Sequence, residues 1–216
     1  KVDLKTVGIF SLVQLPYTVK FLWAPLLDRY APPWLNRRSG WMAIFQVSLI
    51  VAIVLMGVSD PVVSPVWFAL LALLLAFFSA SQDIVIDAYR TEFLRPNELG
   101  AGAASTVLGA RLALLVSGAM ALILSDHMSW RHVYFLMASL MTVGLISSYL
   151  APAPGVEVAP PKSLREAVIQ PFLSYFNRKG AVAMLLFIIF YKLGDAVAGK
   201  MTTPFLMDIG FSRTDI

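Results

Sequence analysis

Two carboxylates, Asp83 and Asp87, stand one helical turn apart inside an apolar run that extends from Val66 to Tyr89. A run of about 20 apolar residues is long enough to cross a bilayer. An acid at its centre costs roughly 2.5–3.5 kcal/mol on insertion scales. Chains keep such groups where they face a bundle interior or an aqueous path. A carboxylate held in low dielectric can take up and release protons near neutral pH, so these acids are candidates for a proton route. Lys20 falls in another apolar run, at about the same depth as Asp83 when each residue advances the helix by about 1.5 Å. A Lys20–Asp83 pair across two helices is therefore open, either as part of a polar pathway or as a static lock. Asp87 is also close enough to Arg90 to serve a purely structural pair.

Arg111 lies near the middle of a further run. Arginine stays protonated, so there it needs a carboxylate partner or an anionic ligand. Lys192 and Asp195 share a helix face beside Gly194 and either neutralise one another or face the same pathway. Lys200 is placed to snorkel toward an interface.

The elements that must hold these groups follow from composition. Of 216 residues, 58% are hydrophobic and 14% charged, against typical soluble values of about 45–50% and 25%. Mean hydropathy is +0.75. That excess predicts an all-α integral membrane protein. Six runs have spanning length, near 6–27, 41–58, 66–88, 101–124, 132–151 and 181–206. The second and fifth carry no charge beyond His132 at an edge, so they are expected to face lipid. The other four carry the ionisable groups and are expected to turn inward.

Lys and Arg in short loops set the orientation. Alternate loops hold Arg29, Arg37 and Arg38, then Arg90 and Arg95, then Lys162, Arg165, Arg178 and Lys179; the intervening loops hold Arg131 alone. The basic set is read as cytoplasmic, which leaves both chain ends outside and calls for an odd number of earlier spans, most simply one. The long connection 152–179 opens on Pro152, Pro154, Pro160 and Pro161. It then becomes amphipathic, with Leu164, Val168 and Phe172 on one face and Ser163 and Glu166 at capping-box spacing. Pro171 is expected to kink that helix. The resulting organisation is a bundle over 1–151, a cytoplasmic linker over 152–179 and the first helix of a second bundle over 180–216.

Other function classes find little footing. The net charge of +4 arises from residues spread between apolar runs, not from one basic patch, so nucleic acid is not an expected partner. There is no cysteine, and His127 and His132 alone are too few for a metal site. No Gly-rich phosphate loop, zinc-protease helix or nucleophile elbow is present. An intramembrane hydrolase built on Asp83 and Asp87 would leave the interior cations without a role. Ser105, Gly109, Ala113, Ser117 and Ala121 form a small-residue stripe at four-residue spacing, the pattern of close helix packing.

Several stretches together carry a resemblance. Leu15–Tyr30 (LPYTVKFLWAPLLDRY), Arg37–Trp41 (RRSGW), Ser79–Glu92 (SASQDIVIDAYRTE), Gly100–Gly118 and Tyr191–Ala196 (YKLGDA) resemble the AmpG-type muropeptide permeases of the major facilitator superfamily. Acetyl-CoA transporters are a more distant match. The resemblance implies a twelve-helix, two-bundle transporter with alternating access, of which this chain covers helices two to seven. It implies import of anhydromuropeptides across the bacterial inner membrane for peptidoglycan recycling and β-lactamase induction. The implied coupling is to a proton gradient, without a cofactor, in a monomer surrounded by lipid that binds an anionic sugar–peptide. Acetyl-CoA or another organic anion, or a non-transporting sensor role, are the alternatives. The superfamily's acidic–basic loop motif aligns with Asp28 and Arg29, though Ala24 replaces its first glycine and Arg37 and Arg38 come later, after Pro32 and Pro33. A cytoplasmic gate of Asp28, Arg29, Arg38 and Arg90 is the corresponding expectation, with Asp28 pairing to Arg90 or Arg38.

Overall fold

The structure, a computed structural model, describes residues 12–154 and 161–209, with the side chains of 12, 164, 195–200 and 202–207 outside that description. The chain divides into two compact units, Lys1–Leu164 and Arg165–Ile216.

In the first unit, the segment from Leu12 begins as a 3₁₀ turn, continues as α1 (Leu15–Val19), passes through a second 3₁₀ turn at Lys20–Leu22 and ends as α2 (Ala24–Arg29). The expected continuous span over 6–27 is therefore broken in its described part, and residues 6–11 lie outside it. Proline explains the breaks. Pro16 and Pro25 each sit in the first turn of a short helix, lack an N–H, and would clash with the carbonyl four residues earlier in a continuous helix. Lys20 consequently occupies a tight turn, not a regular helical face.

Three long helices and a composite one follow: α3 (Arg37–Val58), α4 (Pro65–Phe93), α5 (Leu99–Ser125) and α6 (Trp130–Leu150), each apolar and long enough to cross a membrane. The 29 residues of α4 extend about 43 Å, beyond a hydrocarbon core of about 30 Å. Arg90 and Glu92, at the C-terminal end, thus lie outside the oil. Within α5, Leu115–Met120 winds as a π-helix. Such a bulge inserts one residue and sets later positions back by about 100°. No strand occurs among the described residues.

The helices that contain the two charge-free runs 41–58 and 132–151, α3 and α6, pack against one another, and α3 also packs on α4. A Cβ on Gly57 would lie 2.8 Å from the Tyr134 Cβ, so glycine is what permits the α3–α6 approach. A core of Leu27, Met42, Phe45 and Val85 joins α2, α3 and α4. Burial within the chain does not follow polar load: 39% of the α3 window is buried but only 6% of the α5 window, which contains Arg111. The small-residue stripe of α5 is exposed except at Ala121 and has no neighbouring helix against it among the described residues.

In the second unit, α7 (Leu164–Phe176) and α8 (Ala181–Asp208) are joined through Gly180, whose φ of +83° an ordinary side chain would rarely accept. The stretches Arg165–Phe176 and Ala181–Gly194 meet at 97°. The helix α7 runs through Pro171 as one element, so that proline does not end it.

Candidate ion-pair pathway and cytoplasmic cluster

The broken segment before α2 is stitched to α4 by three polar contacts. The Tyr17 hydroxyl donates to Ser79 Oγ at 2.7 Å. Lys20 Nζ stands 3.6 Å from Asp83 Oδ2. The Trp23 indole N–H donates to Ser81 Oγ at 3.0 Å, and that hydroxyl in turn donates to the Phe77 carbonyl at 2.7 Å. Ser79, Asp83 and Asp87 recur every four residues, so they line one face of α4. The proline-bounded turn at Lys20–Leu22 is what delivers the ammonium to that face. Both partners stay open, the Lys20 side chain 33% and the Asp83 side chain 49% exposed. The pair is thus half-exposed and rests on one contact.

One turn further along, Asp87 Oδ1 pairs with Arg90 Nη2 at 3.1 Å on the same helix. Arg90 also donates to Thr106 Oγ1 at 3.0 Å, tying the end of α4 to the start of α5. Gly102 lies against the end of the Leu94 side chain there.

A second cluster assembles where α2, α3 and α4 end on the cytoplasmic side by the basic-loop count. Arg38 Nη1 donates to Asp28 Oδ1 at 2.7 Å. Arg38 Nε donates to both Glu92 oxygens at 3.1 Å, and its Nη2 to Glu92 Oε1 as well. Arg37 Nη2 lies 3.5 Å from the same Glu92 oxygen, and Arg37 Nη1 donates to the Asp28 carbonyl at 3.1 Å. The Arg38 side chain is 6% exposed and that of Glu92 14%, whereas Asp28 is 41% exposed. Two arginines at the first turn of α3 oppose its macrodipole; Glu92 and Asp28 supply the compensating charge.

Asp28 therefore meets Arg38, not Arg90, whose partners are Asp87 and Thr106. Arg29 makes no ion pair among the described residues; its guanidinium lies 5.7 Å from the Tyr30 ring centroid. Arg111 is exposed on α5 with no ion pair among the described residues, and the structure does not bring it to Asp83. Lys192 is exposed in the second unit, and the Asp195 and Lys200 side chains lie outside the described residues. Sequence reasoning missed Glu92 and Arg37, the two partly enclosed residues beside Arg38. A carboxylate two residues beyond Arg90 at the end of an apolar run was the available signal; its pairing with α3 needed the antiparallel helix packing. Among the described residues no cluster of three or more His, Cys, Asp or Glu could hold a metal ion.

At the opposite ends of α3 and α4 a pocket of about 490 Å³ is lined by Met56, Phe68, Trp130, Arg131 and Tyr134 among others. Tryptophan and tyrosine at this level fit a membrane–water interface.

Comparison with known proteins gives this arrangement a family. The chain is 48% identical, over its whole length, to the anhydromuropeptide permease of Escherichia coli K12, of which it covers 44%. It is 40% identical over 99% of its length to an uncharacterised protein of Haemophilus influenzae, covering 52% of that protein. The chain thus spans about half the length of these curated relatives. The family match runs over residues 6–214, nearly the entire sequence. With its apolar helices, its polar α4 face and that match, the chain belongs to the major facilitator superfamily.

Proposed function

We propose that this chain forms part of a secondary-active importer that carries anhydromuropeptides across the bacterial inner membrane with protons. The observation that carries the reading is the open Lys20–Asp83 pair, held at 3.6 Å on the polar face of a spanning helix. The cargo class comes from the 48% identical permease.

The geometry supports a simple exchange. In the resting pair, the Asp83 carboxylate neutralises the Lys20 ammonium. An anionic group of the cargo, such as a peptide carboxylate, replaces Asp83 beside Lys20. Asp83 then loses its counter-charge on the face of a spanning helix, and a proton neutralises it. Cargo and proton enter together; release of the cargo restores the pair and expels the proton. Arg111 offers a second cationic contact for the cargo from α5. The Asp28–Arg38–Glu92–Arg37 cluster holds the cytoplasmic ends of α2, α3 and α4 together, and its opening would accompany exposure to the cytoplasm.

The test is uptake of labelled anhydromuropeptide by cells that lack their own permease and make the full-length protein. Uptake that collapses with a protonophore and persists against excess acetyl-CoA supports the reading. Absence of uptake, or competition by acetyl-CoA as effective as unlabelled muropeptide, removes it.

A further inference from the structure

The first helix of the second unit carries an apolar face that the pathway does not use. On α7, Val168, Ile169, Phe172, Leu173 and Phe176 are all exposed. At about 100° per residue they fill one arc of roughly 140°, while Gln170 and Ser174 lie on the other side and Glu166 at the edge of the arc. This helix meets α8 at 97°. The 28 residues of α8 reach about 42 Å, enough to cross the bilayer. If α8 stands along the membrane normal, α7 lies in the membrane plane at the level where α8 enters. Arg165, Arg178 and Lys179 are exposed around the same stretch and make no ion pair among the described residues. They belong to the cytoplasmic basic set, the side on which anionic lipid carries a negative surface potential.

We propose that α7 is an interfacial helix that docks on the anionic inner leaflet. Val168, Phe172 and Phe176 enter the acyl boundary by about 5–10 Å. Arg165 lies within the apolar arc and snorkels to phosphate height; Arg178 and Lys179 meet phosphates beside the turn at Gly180. The helix thereby fixes the level of α8 in the membrane. The right-angle break lays α7 along the surface that an upright α8 would enter, and the flanking cations match the charge of anionic lipid.

The experiment uses the full-length protein, carrying single spin labels at Val168→Cys, Gln170→Cys, Phe172→Cys or Ser174→Cys, in nanodiscs with and without phosphatidylglycerol. Labels at 168 and 172 are expected to collide with oxygen in preference to a water-soluble nickel chelate, and those at 170 and 174 to do the reverse. Labels at 168 and 172 closed to both reagents would mean protein covers the face, and nickel access equal to that at 170 and 174 would mean water does. Either result overturns the proposal. In the Arg178→Ala/Lys179→Ala variant the ratio of seated to released helix, read from the 172 label, is expected to fall about thirtyfold. An unchanged ratio both in that variant and in discs of phosphatidylcholine alone overturns the assignment to anionic lipid.

Discussion

Replacing Arg38 by methionine removes the centre of the Asp28–Arg38–Glu92–Arg37 cluster and keeps most of its apolar stem. The guanidinium contacts two carboxylates, and its side chain is only 6% exposed. Removing one partner of a buried pair costs about 3–5 kcal/mol, because the other charge stays buried. Glu92 would keep Arg37 at 3.5 Å, which places Arg38→Met near the low end, at about 3 kcal/mol. Glu92→Gln leaves Arg38 paired to Asp28 and retains an acceptor, so about 2 kcal/mol is expected. Asp28 is 41% exposed, and solvent screening reduces Asp28→Asn to about 1 kcal/mol or less. The assay is reversible unfolding of the full-length protein in mixed micelles, reading the three variants side by side. The order Arg38, Glu92, Asp28 is the discriminating result. Equal losses at Asp28 and Arg38, or a loss below about 1 kcal/mol at Arg38, would refute the assignment of Arg38 as the enclosed hub.

Gly57→Val should force α3 and α6 apart at Tyr134 and cost about 1–3 kcal/mol, seen in the same unfolding assay. Ser81→Ala takes away the acceptor of the Trp23 indole at a fully buried position, for about 1–3 kcal/mol; the double variant with Trp23→Phe should lose less than the sum of the singles. Arg111→Gln, at an exposed position without an ion pair among the described residues, should change stability by less than about 0.5 kcal/mol yet reduce muropeptide uptake, a split that tests cargo contact.

Much of this architecture follows from local features of the chain. Apolar length gave α3, α4, α5 and α6, because a bilayer demands a fixed rise from every span. The depth match between Lys20 and Asp83 anticipates their contact, since distance along two helices from a common interface is simple arithmetic. The path of the backbone around Lys20 is less evident: Pro16 and Pro25 forbid a continuous helix, and an apolar run read as one span conceals that. The π turn at Leu115–Met120 leaves no compositional mark. It alters the small-residue stripe, because four-residue spacing drifts around an α-helix and an inserted residue resets it. The pairing of Arg38 with Glu92 depends on which helix ends come together, a property of packing and not of either segment. Polar load also proved a poor guide to burial inside this chain, where α3, uncharged over 41–58, is the most enclosed span among the described residues.

The most direct measurement is proton movement during transport. Proteoliposomes carrying the full-length protein and an internal pH dye receive anhydromuropeptide outside. If Asp83 carries the proton displaced onto it when cargo takes its place beside Lys20, the wild-type lumen acidifies as cargo enters. With Asp83→Asn, cargo moves only down its own gradient, without acidification and without dependence on external pH. Acidification by Asp83→Asn equal to that of the wild type would contradict the exchange at this pair.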